Sequence, residues 1–308
     1  MKQPTQTGII LRYQSGFYTV QKDDKTEVTC TLRGRLKKGP KTGDIAALGD
    51  IVHFIMLPEG TGVIEKVEER KSAFIRLAPT PRGEYQQVLL ANPDQVLFVF
   101  ACANPPPSLR MLDRFLVIAE KNEIKPIIVA NKTDLVTPEE AKALFERYED
   151  IGYEVHYTSD ESGEGVQRLF DAIKGKMSAL TGPSGVGKSS LLNRMMPGLG
   201  LAVAHVSDAT TKGRHTTTHR ELFPIDVPEG GYVADTPGMR GLALWDTEPE
   251  ELDGYFPELK ELVEYCQFSD CTHQSHEPGC AVHAAVEEGT VHPERYMSYL
   301  RLRYGDEE

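Results

Sequence analysis

The stretch "ALTGPSGVGKSSLLN", residues 179 to 193, restricts this chain more than any other, because Gly182 to Ser189 fits the pattern G-x-x-x-x-G-K-[ST]. Such a loop works only between a buried strand and a helix N-terminus. The apolar "MSAL" before it and the helical "SLLNRMM" after it supply that context, so the chain must contain an α/β unit with a parallel sheet. The glycines let backbone N–H groups curl around a β-phosphate, Lys188 reaches the β- and γ-phosphates, and the Ser189 hydroxyl is a Mg²⁺ ligand. The expected phosphate contacts are Gly182, Ser184, Gly185, Val186, Gly187, Lys188, Ser189 and Ser190. A phosphate loop alone does not name the base.

A second motif, Asn131-Lys132-Thr133-Asp134, follows the apolar run "PIIVA" and so falls at a strand end, where ligand loops of open α/β sheets cluster. A carboxylate there accepts two hydrogen bonds from guanine N1–H and N2–H₂ and finds no such partner on adenine, so Asp134 selects guanine. "VADTPG" adds Asp235, placed to hold a Mg²⁺ water, and Gly238, whose amide can bond a γ-phosphate. Upstream, "TTKGRHTTTH" (210–219) is a polar segment rich in hydroxyls, of the kind that closes over Mg²⁺ and phosphate; a plain linker is the alternative. The order is base reader, phosphate loop, switch I, switch II. "TSDESGEG" (158–165), leading through a helix into "MSALTG", joins the usual last strand to the usual first. The domain therefore reads as circularly permuted.

Around this unit the pattern changes twice. From Thr7 to Arg76, short alternating runs broken by Gly and Asp predict a small all-β barrel of the OB type. Residues 1 to 80 carry 13 Lys plus Arg against 9 Asp plus Glu, a balance of +4, whereas the whole chain is at −12. A uniformly basic nucleic-acid binder is excluded, yet the loop "RGRLKKGPKTG", with Arg33, Arg35, Lys37, Lys38 and Lys41, lies between two barrel strands where such folds meet RNA. A solvated loop is the alternative. After Trp245 the chain reads as helical and metal-centred. Three of its five cysteines, Cys266, Cys271 and Cys280, crowd together with histidines between them, which is metal spacing and not a disulfide framework. The N-terminus lacks an apolar core with a small-residue cleavage site, and no apolar run reaches the ~20 residues of a membrane span, so a cytoplasmic protein is expected. The expected divisions are 1–76 (barrel), 77–245 (permuted α/β unit) and 246–308 (helical, zinc-binding).

With "NKTD", "GPSGVGKSSLLN", "GRHTTT", "DTPGMR" and "DCTH…EPGCAV" in this order, the chain resembles the ribosome small-subunit-dependent GTPase A family over nearly its whole length. The resemblance implies GTP hydrolysis stimulated by the small ribosomal subunit late in its assembly, with the barrel on ribosomal RNA and the protein acting as a monomer. It places base contacts on Asn131, Lys132 and Asp134, joined by Ser159 and Asp160 of the connecting segment. Mg²⁺ contacts fall on Ser189, Asp235 and a threonine of "TTT", taken as Thr217. Met239 stands where many GTPases carry a water-orienting Gln, and the resemblance points to His215 for that task. It also implies one structural zinc on Cys266, Cys271, His273 and Cys280. Six residues separate His273 from Cys280 where the family usually has five, so either the loop is one residue longer or His276 competes with His273 for the metal. A guanylate kinase is a rival, since its phosphate loop matches equally well, and so is a nucleotide-gated RNA-binding scaffold with negligible turnover.

Overall fold

The computed structural model describes residues 4–38, 43–80, 83–201, 221–235 and 247–305. Strands β1 (Thr5–Gln14), β2 (Phe17–Lys22), β3 (Glu27–Leu32), β4 (Ile51–Met56) and β5 (Gly62–Val67) form a closed five-stranded barrel. The ring runs β1-β2-β3-β5-β4, and β1 completes it by pairing with both β2 and β4. A register shift between Ile10 and Arg12 marks a bulge in β1, the kind of kink that lets one strand turn from one neighbour to another. Alternate side chains, among them Ile10, Val20, Cys30, Val52, Phe54 and Ile64, fill the interior. This is the barrel that the alternating pattern predicts.

Two features there were not legible in the pattern. β6 (Ala73–Thr80) and β7 (Gly83–Ala91) make an antiparallel hairpin that crosses residue 76, the expected edge of the barrel unit. The segment before β4 ties the hairpin down: Asp44 accepts from the Tyr85 hydroxyl at 2.8 Å and the Val88 amide at 2.9 Å. Second, the fully buried Asp50 takes two hydrogen bonds from Arg70, both 2.8 Å, and one from the Ala47 amide at 2.7 Å. Each charge offsets the other's desolvation.

The α/β unit follows as β8 (Gln95–Ala101), α1 (Leu109–Lys121), β9 (Lys125–Asn131), α2 (Pro138–Asp150), β10 (Glu154–Tyr157), α3 (Val166–Ile173), β11 (Met177–Thr181), α4 (Lys188–Met195), β12 (Glu221–Pro224) and β13 (Tyr232–Asp235). Its sheet has the order β10-β9-β8-β11-β13-β12, parallel except for β12. Every residue of β8 is buried, because helices cover both faces of a parallel sheet. Phe98, Phe100, Phe115 and Phe145 pack on one face and Leu97, Val99, Leu180 and Leu191 on the other. β12 also pairs with β1, with Arg12 opposite Glu221 and their side chains 3.2 Å apart, so the sheet runs on into the barrel.

The last part comprises a 3₁₀ stretch Pro249–Tyr255 and helices α5 (Pro257–Lys260), α6 (Ala281–Glu287) and α7 (Pro293–Tyr304). It is bolted to the α/β unit through Arg295, which is 1% exposed. Its guanidinium donates to Asp113 on α1 at 2.7 Å and to Glu258 on α5 at 2.7 and 3.1 Å, and lies over the rings of Phe256 and Tyr148. Asp113 also accepts from Tyr148 at 2.9 Å and from Ser298. Arg295→Ala strands two buried carboxylates and is expected to cost about 3–5 kcal/mol. Urea unfolding measures that loss; a change below about 1 kcal/mol would show that water reaches the network.

Candidate functional site

The parallel sheet brings the C-terminal ends of β9, β10, β11 and β13 to one edge. Between β11 and α4 the phosphate loop is shaped by glycines with no room for a side chain. Gly182 has φ 156°, and a Cβ there would stand 2.1 Å from the Val99 carbonyl oxygen. Gly187 has φ 96°, and a Cβ there would stand 2.4 Å from Asn131 Nδ2. Between them, Ser184 is exposed, Gly185 has a left-handed backbone, and Val186 plugs into the core beneath the loop. Ser189 and Ser190 open α4, so the loop amides and the positive end of the helix face the same space.

Lys188 is folded back over this loop, donating to the carbonyls of Gly182 at 2.8 Å and Pro183 at 2.7 Å. Burial lowers its pKa, and nearby Asp235 works against that shift. Burial likewise raises the pKa of Asp235, with Lys188 opposing. Asp235 sits opposite Leu180 in the β11–β13 pairing, which sets it at the root of the loop. Its Oδ1 is buried and has no hydrogen-bond partner among the described residues. A buried carboxylate oxygen without a partner, at the root of the phosphate loop, is a donor that suits a hydrated Mg²⁺.

The base-reading motif joins the loop through one side chain. Asn131, fully buried at the end of β9, donates from Nδ2 to the Val186 carbonyl and to Asp160 Oδ1, each at 2.9 Å, and accepts from Thr158 Oγ1 at 3.0 Å. Lys132, in the left-handed region, donates to the carbonyls of Gly185 at 2.6 Å and of Asn104. Asp134 is exposed and is oriented by Ser159, whose hydroxyl donates to Oδ1 at 2.5 Å. The structure thus gathers Asn131, Lys132, Asp134, Ser159 and Asp160 beside Gly182 to Ser190, with Asp235 below. Thr158 and the Asn104 carbonyl were missed in the sequence reading, although Thr158 lies in the quoted "TSDESGEG". His215, Thr217 and Gly238 lie outside the described residues.

Cys266, Cys271, His273 and Cys280 converge, their ligand atoms all within 4.8 Å of one another. His273 is 1% exposed and presents Nδ1 to the sulfurs of Cys266 and Cys280, both at 3.6 Å. Its Nε2 faces Asp253 at 3.3 Å, a partner that fixes the ring and its tautomer. His276 is exposed and outside the group. Three sulfurs and one nitrogen fit a tetrahedral zinc site.

On the barrel, Arg33 is exposed just before a 3₁₀ turn Gly34–Lys38, on which Arg35 and Lys37 are exposed and which Lys38 ends; Lys41 lies outside the described residues. Arg33 Nε donates to Glu65 at 2.6 Å and Arg35 pairs with it at 2.9 Å, so one acidic residue partly offsets the loop's charge.

A phosphate loop, a guanine-type base reader and an aspartate at a strand end, strung in permuted order on one parallel sheet, define a circularly permuted P-loop GTPase. The comparisons with known proteins make this particular. The family model for RsgA GTPase matches residues 67–245, and that for the RsgA N-terminal domain matches residues 7–64. The small ribosomal subunit biogenesis GTPase RsgA of Gemmatimonas aurantiaca is 46% identical over 300 residues, 96% of each chain. The protein of that name from Moorella thermoacetica is 41% identical over 95% of this chain and 94% of its own. YjeQ from Thermotoga maritima superposes with a TM-score of 0.76 at 37% identity over 98% of both chains. YloQ, a circularly permuted GTPase, gives 0.73 at 32% identity over 97% of this chain and 94% of that one. The chain belongs to the RsgA GTPase family and is a GTP hydrolase. The guanylate kinase alternative falls with that membership.

Two outcomes are expected from this geometry. Losing a charged hydrogen-bonded pair to the base costs about 2–5 kcal/mol, so Asp134→Asn should weaken GTP binding and favour xanthine nucleotides, whose C2 oxygen accepts from the amide. Competition between GTP and XTP for the variant measures this, and an unchanged preference would remove Asp134 from base selection. Purified protein should hold about one equivalent of zinc, and Cys271→Ser should lose it together with the fold of the C-terminal part. Metal analysis giving less than about half an equivalent in the unmutated protein would contradict the site.

Proposed function

We propose that the chain hydrolyses GTP to GDP and phosphate under stimulation by the small ribosomal subunit, acting late in that subunit's assembly. The observation that carries this reading is the Asn131 side chain bonded to the phosphate loop. It unites base reader and loop into one guanine-nucleotide site, in a chain whose relatives bear the name small ribosomal subunit biogenesis GTPase. Asn131, Lys132 and Asp134 hold the guanine, Ser159 steadies Asp134, and Asp160 borders the base site through the Asn131 amide it touches. The amides from Gly182 to Ser190 and that of Gly238 hold the phosphates, and Lys188 exchanges its two loop carbonyls for phosphate oxygens. Ser189, Asp235 and Thr217 would hold Mg²⁺, which would supply charge neutralisation to the phosphates when bound. The zinc on Cys266, Cys271, His273 and Cys280 is structural.

Three units divide the work: 1–76 contacts ribosomal RNA, 77–245 binds and hydrolyses GTP, and 246–308 is organised by zinc. Exposed Arg35 and Lys37 support the first assignment. No helix among the described residues is long and apolar enough to cross a membrane, and a ribosomal partner calls for a cytoplasmic monomer. Since Met239 cannot orient the attacking water, His215 takes that role once the subunit is bound.

The test is GTP turnover by the purified protein titrated with small subunits, against large subunits as control, at several salt concentrations. Stimulation specific to the small subunit and weakening with salt is expected. His215→Ala should lower the stimulated rate by about 10² or more, with nucleotide affinity near normal. Equal turnover with either subunit would defeat the proposal. Undiminished stimulation in the variant would leave the water to a ribosomal group or a bound cation.

A further inference from the structure

The amide nitrogen of an Asn carries two N–H donors, and Asn131 has committed both. One serves the Val186 carbonyl inside the phosphate loop and the other serves Asp160 Oδ1, each at 2.9 Å. Its oxygen is engaged as well, by Thr158. The first and third of these bonds are buried within the protein. A guanine whose N1–H and N2–H₂ edge is read by Asp134 presents acceptors, N7 and O6, along its far edge. The donor available to that edge is the one now resting on Asp160. The same Asp160 oxygen stands 3.0 Å from where a Cβ on Gly187 would be, so the carboxylate lies against the mouth of the phosphate loop.

We propose that the Asp160 carboxylate is an internal stand-in for the base. It occupies the acceptor position on Asn131 in the nucleotide-free protein, has to leave before guanine docks, and thereby limits guanine-nucleotide affinity and speeds release. The proposal rests on the guanine-binding reading of Asn131 and Asp134. Two neighbouring residues then govern the two ends of base recognition: Ser159 steadies the carboxylate that reads guanine, and Asp160 competes for the amide. Charge sharpens the competition, because a carboxylate left beside N7 and O6 faces two further acceptors and is driven out toward water. Asp160 is half-buried, so that exit is open.

The test compares Asp160→Ala and Asp160→Asn with the unmutated protein, measuring dissociation constants and release rates for guanosine, GDP, GTP and ATP, and melting temperatures with and without GDP. Asp160→Ala should bind guanosine, GDP and GTP about tenfold more tightly, with slower release, since the gain arises at the base. Asp160→Asn keeps an oxygen on Asn131 and should fall between. The Ala variant should melt lower than the unmutated protein when free and at the same temperature when saturated with GDP, because the lost bond exists only in the free state. Unchanged or weaker affinity, with an equal loss of stability in both states, would make Asp160 a simple brace and overturn the proposal. So would tightening for GDP without tightening for guanosine, which would locate the effect at the phosphates. The ATP arm in the unmutated protein reads the guanine site alone: binding as tight as GTP would defeat that reading and take this proposal with it.

Discussion

The buried side chain of Asn131 holds the site together. Base reader, phosphate loop and connecting segment lie on different strands and loops, and this one amide, itself the first residue of the base reader, bonds to a carbonyl of the loop and to a carboxylate and a hydroxyl of the connecting segment. A neutral amide suits the task, since it offers donors and an acceptor at once and avoids the desolvation cost of a buried charge. Lys132 adds a second tie from the same motif to the loop, at Gly185. Circular permutation is tolerated for this reason. The site needs these groups at one edge of a parallel sheet and is indifferent to which of them the chain visits first.

From the same motif a connection runs outward. Lys132 also bonds the Asn104 carbonyl, in the segment that leads from β8 into α1. On α1, Asp113 meets Arg295 and Val117 packs into the core of the C-terminal part, close to the cysteine cluster. The packing of that part is therefore continuous with the helix beside the base reader. A buried guanidinium with two carboxylates and two aromatic rings is an exacting junction, since removing the guanidinium leaves two buried carboxylates uncompensated, and it fixes one geometry between the two parts.

The parts of the site that are chains of consecutive residues were legible in the sequence. Gly182 to Ser189 and Asn131 to Asp134 are contiguous because a loop around a phosphate and a turn beneath a base are local structures, and the strand and helix beside each loop announce themselves by apolar spacing. The five barrel strands were legible from alternation. What escaped depends on partners far away in sequence. Glu65, which pairs with Arg33 and Arg35, is thirty residues on; Asp253 stands behind His273 from another segment; Arg295 and Asp113 come from opposite ends of two units. No local periodicity encodes such pairings. The choice of His273 over His276 was undecided for the same reason: both have suitable chemistry and spacing, and burial by Tyr299 and the Asp253 contact select between them.

Permutation also changes what the switch elements touch. In this order Asp235 closes the last strand of the sheet, and by Thr247 the chain is already fixed to the C-terminal end of α1, where Lys121 donates to the Thr247 hydroxyl at 2.7 Å. Eleven residues of sequence, 236–246, separate the strand end at Asp235 from that contact. In the unpermuted order the rest of the domain would follow the D-x-x-G sequence; here the C-terminal part follows it. Any coupling between the two is reciprocal in binding free energy: whatever preference a partner of the C-terminal part has for the GTP-bound form, GTP must show the same preference for the partnered protein. The order of motifs that first marks the sequence as unusual therefore sets the strand end at Asp235 next in the chain to the part that carries the Cys266–Cys280 cluster.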